Sequence, residues 1–309
     1  MNGQTEKDIF PIVGPARDCM SPQAMPPFSL AFHRISLQHP ISPSESRLYS
    51  RMKYGDPRAT REIAGRMVKR LLRSGALEAL LGGGDELCLA ASAYGEIPTA
   101  ARFVTEQVAS LLAERVSKVH LIRFVREGGF GGSDYGKMNF RQRRAAMANR
   151  RIHLEAGTAE LLAGKPLLVF DDLRSTGLHE TALHKLLLQS GLPVRTLFAY
   201  WIAFEADLAS ADPAREEQLN AAAIDSLQEL SRMFSTLKEM PYTNARLVKF
   251  VLSSGKAGQE DVLAFLAGIS PHIARGIYRA ACSKDGYALH DRFQKGYAAL
   301  IAHLQPQLT

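Results

Sequence analysis

The sequence predicts an α/β protein, a parallel sheet covered by helices and followed by an all-helical region, and three observations carry that prediction. Apolar strand-like runs alternate with helical ones between about residues 85 and 205: ELCLAAS, AARFVTEQVASLLAERV, KVHLIRFVRE, KPLLVFDD, LHETALHKLLLQSG and VRTLFAYWIAF. The strand runs are nearly continuous in apolar residues, as in a sheet buried on both faces. After about Asp207 no strand-like run returns, and every apolar pattern has helical spacing.

Taken in order, residues 1–30 contain Pro11, Pro15, Pro22, Pro26 and Pro27 without periodicity and read as an irregular or disordered lead-in. SRLYSRMKYGDPR then collects Tyr49, Arg51, Lys53, Tyr54 and Asp56. We read it as non-helical, and as an ordinary surface turn ahead of a loop that meets a planar base or a phosphate. Asp56-Pro57 supplies an N-cap and first position for a helix bearing Ile63, Met67, Val68, Leu71 and Leu72 at helical spacing. Segment 128–151 begins glycine-rich and turns strongly basic, Gly191 closes the helix after KPLLVFDD, and Pro241, Gly255, Pro271 and Gly286 separate the short C-terminal helices. The expected division is a lead-in over 1–30, an α/β domain over 31–207 and a helical domain or cap over 208–309.

Composition bounds the function. The chain has 309 residues, 46% of them hydrophobic and 22% charged, and no run reaches the roughly 18 uncharged apolar residues of a membrane span. Glu6, Lys7 and Asp8 stand where a secretory signal needs an apolar run, so export is not expected. Cys19, Cys88 and Cys282 are odd in number and far apart, which suits free thiols in a cytoplasmic, reducing compartment. The net charge of +7 suits a partner carrying phosphate, a small molecule or a nucleic acid. The basic clusters Arg58–Arg73 and Arg141–Arg151 read equally as solvated helix faces.

Chemistry concentrates after KPLLVF. In an open parallel sheet ligands bind beyond the carboxyl ends of the strands, so a strand ending at Asp171 and Asp172 puts two carboxylates on the functional rim. LRSTG then turns into a helix starting near Leu178, whose first free N–H groups can hold an anion. Carboxylates beside an anion site fit a ligand with vicinal hydroxyls at one end and phosphate at the other, as in ribose 5-phosphate.

An apolar strand, two acids, a few variable residues and Thr-Gly resemble the signature of the type I phosphoribosyltransferases, in particular divergent bacterial members. The resemblance covers about residues 85–205 and implies a phosphoribosyltransferase-like, Rossmann-like core. It implies that Asp171 and Asp172 meet the ribose hydroxyls of phosphoribosyl pyrophosphate, partly through magnesium, and that Ser175, Thr176, Gly177, Leu178 and His179 wrap its 5-phosphate. His179 stands where the family usually has Thr or Ser. ASAYGEIPTAA resembles the family's pyrophosphate loop, which carries Ala93, Tyr94, Gly95 and Glu96 over as binding positions. Here Gly95 replaces a lysine and Glu96 a glycine.

The family also closes a flexible loop over the site. Segment 128–151 holds that place, with Gly128, Gly129, Gly131 and Gly132 as hinge and Lys137, Arg141, Arg143 and Arg144 as charges for departing pyrophosphate; a basic helix facing solvent or nucleic acid is an equal reading. The resemblance thus implies a magnesium-dependent transferase that joins ribose 5-phosphate to a small, nitrogenous acceptor, with a homodimer compatible and nucleic acid the less favoured partner. A nucleotide-sensing or RNA-binding regulator on the same fold is the alternative. A phosphotransfer domain using Asp171 as nucleophile ranks below both, since Leu173 stands where it needs an acid. Neither a zinc site nor a Cys88 nucleophile is expected, because no histidine pair has ligand spacing and Cys88 lacks a partnered base.

Overall fold

The computed structural model describes residues 10–11, 28–128, 138–148, 151–192, 194–255 and 258–305. Most of the proline-rich lead-in, and Gly129, Gly131, Gly132 and Lys137 of the basic segment, lie outside the described residues. The strands are β1 (Phe10–Pro11), β2 (Phe28–Ile35), β3 (Glu86–Ala91), β4 (Lys118–Ile122), β5 (Phe124–Glu127), β6 (Arg151–Leu154), β7 (Leu167–Arg174) and β8 (Thr196–Phe204). All but β5 and β6 form one sheet in the order β1-β2-β8-β7-β3-β4, parallel except for the short β1. Strand β8 is buried along its whole length, as its unbroken apolar run requires.

Helices cover both faces. On one lie α1 (Pro43–Lys53), α2 (Pro57–Arg73), α3 (Ala76–Leu81) and α4 (Ala100–Leu112), and their Met52, Ile63, Leu71, Leu77 and Val104 pack with Leu89, Phe170 and Trp201. Trp201 also stacks on Phe32 of β2, ring centroids 4.4 Å apart. Burying a side chain of this size contributes about 1.5–3 kcal/mol, so this face is a main source of stability. The other face is covered by α6 (Thr158–Leu162) and α7 (Leu178–Gln189), whose Leu162, Leu183 and Leu187 meet Cys88, Val169 and Phe198. The intervening α5 (Phe140–Ala148) belongs to the basic segment.

Beyond β8 come α8 (Ala206–Ala211), α9 (Arg215–Asn220), α10 (Leu227–Thr236), α11 (Ala245–Ser254), α12 (Gln259–Ala267), α13 (Pro271–Ala281) and α14 (Gln294–Leu304). Most of them share a core of their own, including Leu230, Val248, Phe265, Ile277 and Leu300, into which Tyr54 and Ile97 of the sheet region also insert. Backbone hydrogen bonds fasten the two regions: Tyr242 N–H to Gly55 O at 2.8 Å and Ala245 N–H to Pro98 O at 2.9 Å. Among the described residues no helix is long and apolar enough to cross a membrane.

Four local readings change. SRLYSRMKYGDPR is not a surface turn: α1 forms because Ser42 caps Glu45 N–H at 3.3 Å, Pro43 sits in the first turn, and Arg51 and Lys53 complement the last. KVHLIRFVRE is two strands. The chain bends at Arg123, whose guanidinium donates to Gly95 O and lies over the Tyr94 ring, and β5 leaves the sheet to pair antiparallel with β6. Strand β7 runs through Asp171 and Asp172 to Arg174, held by pairing with Ile202 and Ala203 of β8. Strand β2 begins at Phe28, inside the stretch read as irregular, because β8 offers it a parallel partner.

Gly55 shows how closely the two regions meet. Its φ is +88°, a left-handed conformation, and a Cβ there would overlap the Tyr242 carbonyl oxygen. Gly55→Ala is therefore expected to destabilise the protein by about 2 kcal/mol or more, and a denaturant midpoint equal to wild type would contradict this close approach.

Candidate functional site

The pleat of β7 decides the fate of its two acids, because successive side chains of a strand point to opposite faces. Asp172 follows Phe170 toward α1, where its buried carboxylate accepts from Tyr49 Oη at 3.0 Å and forms an ion pair with Lys53 Nζ. Asp171 turns to the other face. It accepts from Ser92 Oγ at 2.9 Å and from the Asp172 N–H at 3.0 Å, and His179 Nδ1 lies 3.5 Å away.

The two carboxylates titrate in opposite directions. Burial pushes Asp172 up, but the Lys53 charge and the hydrogen bonds from Lys53 and Tyr49 outweigh it and hold the group below the ordinary range. Burial raises Asp171, with the His179 contact only partly opposing it and the neighbouring Asp172 charge adding to the rise. Lys53 in turn keeps its proton above the usual lysine value, since the attraction of Asp172 and Glu216 exceeds the cost of burial. At neutral pH Asp172 is thus a neutralised structural charge, and Asp171 is the acid left facing open space.

Past Arg174 the chain makes the turn Ser175-Thr176-Gly177 into α7. Gly177 adopts φ +70° at the N-cap, which a side chain would strain, and the first N–H groups of the helix lack intrahelical partners. Arg174 lies beside this turn, its Nη2 2.9 Å from where a Gly177 Cβ would stand, and its Nε donates to Glu180 Oε2 at 2.9 Å. Tyr200 Oη donates to the same oxygen at 2.6 Å. Burial and then the Glu180 charge push the Tyr200 phenol well above its usual value, so it stays a donor.

Ser175 is held from outside its own turn. Arg143 of α5 is fully buried and donates from Nη1 to Ser175 Oγ at 2.6 Å and to Glu216 Oε2 at 3.1 Å. Its Nη2 reaches Pro213 O at 2.7 Å and its Nε reaches Met138 O at 2.9 Å. A residue expected to meet a leaving group lines the cavity and also ties α5, the turn and α9 together. A buried guanidinium needs this many acceptors to offset its lost hydration.

The loop after β3 is only partly turned to the same space. Ser92 and Ala93 line the cavity, whereas Tyr94 and Gly95 are buried behind it and Glu96 is exposed. The Tyr94 backbone pairs with β5, accepting from Arg126 N–H at 2.9 Å and donating to Phe124 O at 3.3 Å. A Cβ on Gly95 would overlap Oδ1 of Asp285, so a side chain there requires a shift of this carboxylate, whose Oδ2 accepts from Ile97 N–H at 2.9 Å.

One cavity of about 190 Å³ gathers Ala93, Arg143, Asp171, Asp172, Ser175, Thr176, Gly177, Leu178 and His179 from the sequence-derived set. It does not include Tyr94, Gly95, Glu96 or Arg141. Arg141 and Arg144 are exposed on α5, on the side away from the buried Arg143, and Lys137 lies outside the described residues. The cavity adds Lys53, Ser92, Thr99, Arg126, Glu216 and Lys249, which sequence reasoning missed as site residues. For Lys53 a signal existed: Tyr49 and Lys53 are four apart, one helix face, behind the Ser42-Pro43 start signal. Glu216 and Lys249 sit in ordinary amphipathic helices with nothing local to mark them. Burial pushes the Cys88 thiol up to about 11, which keeps it protonated. Among the described residues no group of three His, Cys, Asp or Glu side chains is arranged for a metal ion.

Because the Asp172 pKa is depressed in the fold, its stabilisation is complete above the unfolded value of about 3.9 and is lost as pH falls through the lower folded value. Asp172→Asn should flatten the acid limb of a stability–pH profile. Lys53→Met leaves the buried carboxylate uncompensated and should cost about 3 kcal/mol at pH 7, with Lys53→Met/Asp172→Asn recovering much of it. Additive losses in denaturant unfolding of the two single variants and the double would contradict the pairing.

Solved structures with some similarity include hypoxanthine phosphoribosyltransferase from Staphylococcus aureus, 15% identical over 49% of this chain and 68% of that one, with a TM-score of 0.30. The Trypanosoma cruzi hypoxanthine phosphoribosyl transferase is 14% identical over 50% and 68%, TM-score 0.32. A hypoxanthine-guanine phosphoribosyltransferase from Bacillus anthracis is 13% identical over 46% and 70%, TM-score 0.30. No curated protein matches the sequence. The model of the PRTase ComF-like family matches residues 27–298, from the first core strand into α14 and therefore across the helical C-terminal third as well as the sheet. The chain belongs to the ComF-like phosphoribosyltransferase family.

Proposed function

We propose that the protein binds phosphoribosyl pyrophosphate with magnesium and transfers ribose 5-phosphate to a small nitrogenous acceptor, releasing pyrophosphate. The observation that carries this reading is the shared cavity of Asp171 and the Gly177 turn, an open carboxylate beside an unfilled helix N-terminus. The turn receives the 5-phosphate on the N–H groups of residues 176–179, with Arg174 beside it. Asp171 accepts from the ribose hydroxyls, and Ser92 and His179 fix its orientation.

Hard cations are commonly held by one or two carboxylates together with substrate oxygens. Asp172 already carries the Lys53 ammonium and the Tyr49 hydroxyl, so Asp171 is the protein group that fits, with the ligand supplying the remaining oxygens. Magnesium held there would offset charge on the ligand. The chain's own residues align the anomeric carbon for displacement of pyrophosphate by the acceptor nitrogen, and enclosure by β5, β6 and α5 limits competition from water.

A second reading, a nucleotide-sensing regulator without turnover, is favoured by one observation. Asp285 fills the space beside Gly95 and takes the Ile97 N–H, which removes from this loop the lysine and one donor available to a pyrophosphate.

Calorimetry with phosphoribosyl pyrophosphate and magnesium tests the site. Wild type is expected to bind, and Asp171→Asn to bind about tenfold or more weakly, as befits a lost charge-assisted hydrogen bond. Equal binding by both, or none by either, would sink the assignment. A pyrophosphate-release assay over a panel of bases then separates transfer from sensing, and release with any of them favours transfer.

A further inference from the structure

Gly95 stands where the resembled pyrophosphate loops carry a lysine, and a lysine there would have to displace the carboxylate packed against it. A Cβ on Gly95 would overlap the Asp285 carboxylate, and Asp285 is itself buried and fixed by the Ile97 N–H at 2.9 Å. Of this loop's residues only Ser92, Ala93 and Thr99 line the cavity, so the loop itself offers no cation to a trianionic leaving group. One must come from another element, such as Arg126 of β5, whose N–H pairs with Tyr94 O, or Lys249 of α11.

Helix α11 is built to do this. Ala245 N–H donates to Pro98 O at 2.9 Å, so the helix starts against the pyrophosphate-type loop. Asn244 fixes that start by capping the Arg246 and Leu247 N–H groups, both at 3.0 Å. One turn further on, Lys249 lines the cavity together with Ser92, Ala93 and Thr99. Its ammonium lies 5.6 Å from the ring centroid of Tyr287, two residues beyond Asp285. The C-terminal region that packs Asp285 against Gly95 therefore also brings Lys249 to the cavity.

We propose that Lys249 is the cation that binds the pyrophosphate group in this site, so that the helical C-terminal third contributes directly to ligand binding. The assignment rests on the phosphoribosyl reading above. As a binding residue, Lys249 touches only the pyrophosphate half of the ligand, and its loss is felt only by ligands that carry that half.

The test is calorimetry on the full chain with magnesium, titrating phosphoribosyl pyrophosphate, inorganic pyrophosphate and ribose 5-phosphate into wild type, Lys249→Met and Lys249→Arg. Lys249→Met is expected to weaken phosphoribosyl pyrophosphate and pyrophosphate by about tenfold or more while leaving ribose 5-phosphate unchanged, with Lys249→Arg retaining most of the affinity. Unchanged binding of phosphoribosyl pyrophosphate by Lys249→Met, or an equal loss for ribose 5-phosphate, would overturn the assignment. So would a selective loss in Arg126→Met with none in Lys249→Met. A wild type that binds neither sugar phosphate would overturn the phosphoribosyl reading, and this assignment with it.

Discussion

Two adjacent carboxylates at the end of a buried strand cannot both stay charged without partners, and the elements around β7 are arranged to supply them. Asp172 is served by Tyr49 and Lys53, which requires α1 to lie across the strand ends. That placement depends on the Ser42 cap, and on the Asp56 cap that turns the chain at once into α2, where Asp56 Oδ1 accepts from Arg58 N–H at 2.8 Å. Asp171 is served by Ser92 at the end of β3 and by His179 at the start of α7. The pleat thus converts a sequence pair of identical acids into one structural charge and one available for a ligand.

A second network closes the space in front of them. Arg143 binds Met138, Ser175, Pro213 and Glu216, so a single buried guanidinium joins the basic segment, the Ser175-Thr176-Gly177 turn and the start of the C-terminal helices. Glu216 also contributes to the field that keeps Lys53 charged. The positive charge of α5, which the sequence reads equally as a mobile clamp or as a basic helix facing solvent or nucleic acid, is divided by the fold. Arg143 is structural, while Arg141 and Arg144 face solvent. By contrast, the basic residues of α2 form a solvated face whose charges are met locally, as where Arg61 makes two bonds of 2.6 and 2.7 Å to Glu239.

Periodicity made the parallel core legible, since the runs around Cys88, Val169 and Phe198 are too uniformly apolar for anything but a doubly covered sheet. Strand β2 escaped notice because its partner, β8, lies over 160 residues away and nothing in FSLAFHRI announces a long-range parallel pairing. The Asp171-to-His179 turn was legible because its chemistry is contiguous. The other half of the cavity was not, because Lys53, Glu216 and Lys249 meet only through the packing of three separate helices. Tyr49 and Lys53 were noticed as a concentration of polar and aromatic residues and misread as surface, although their spacing of four and the cap before them were present in the sequence.

The Gly95–Asp285 contact also constrains how such a site can change by descent. The two positions are 190 residues apart in the chain yet compete for one volume. A side chain larger than hydrogen in this loop requires the acid at the second position to shift or be replaced, so the two positions are coupled through packing. Change is easiest through a small residue at the second position, and the two sites are expected to vary together. The helical C-terminal third thus limits what a loop of the sheet region can carry, through one carboxylate packed against it.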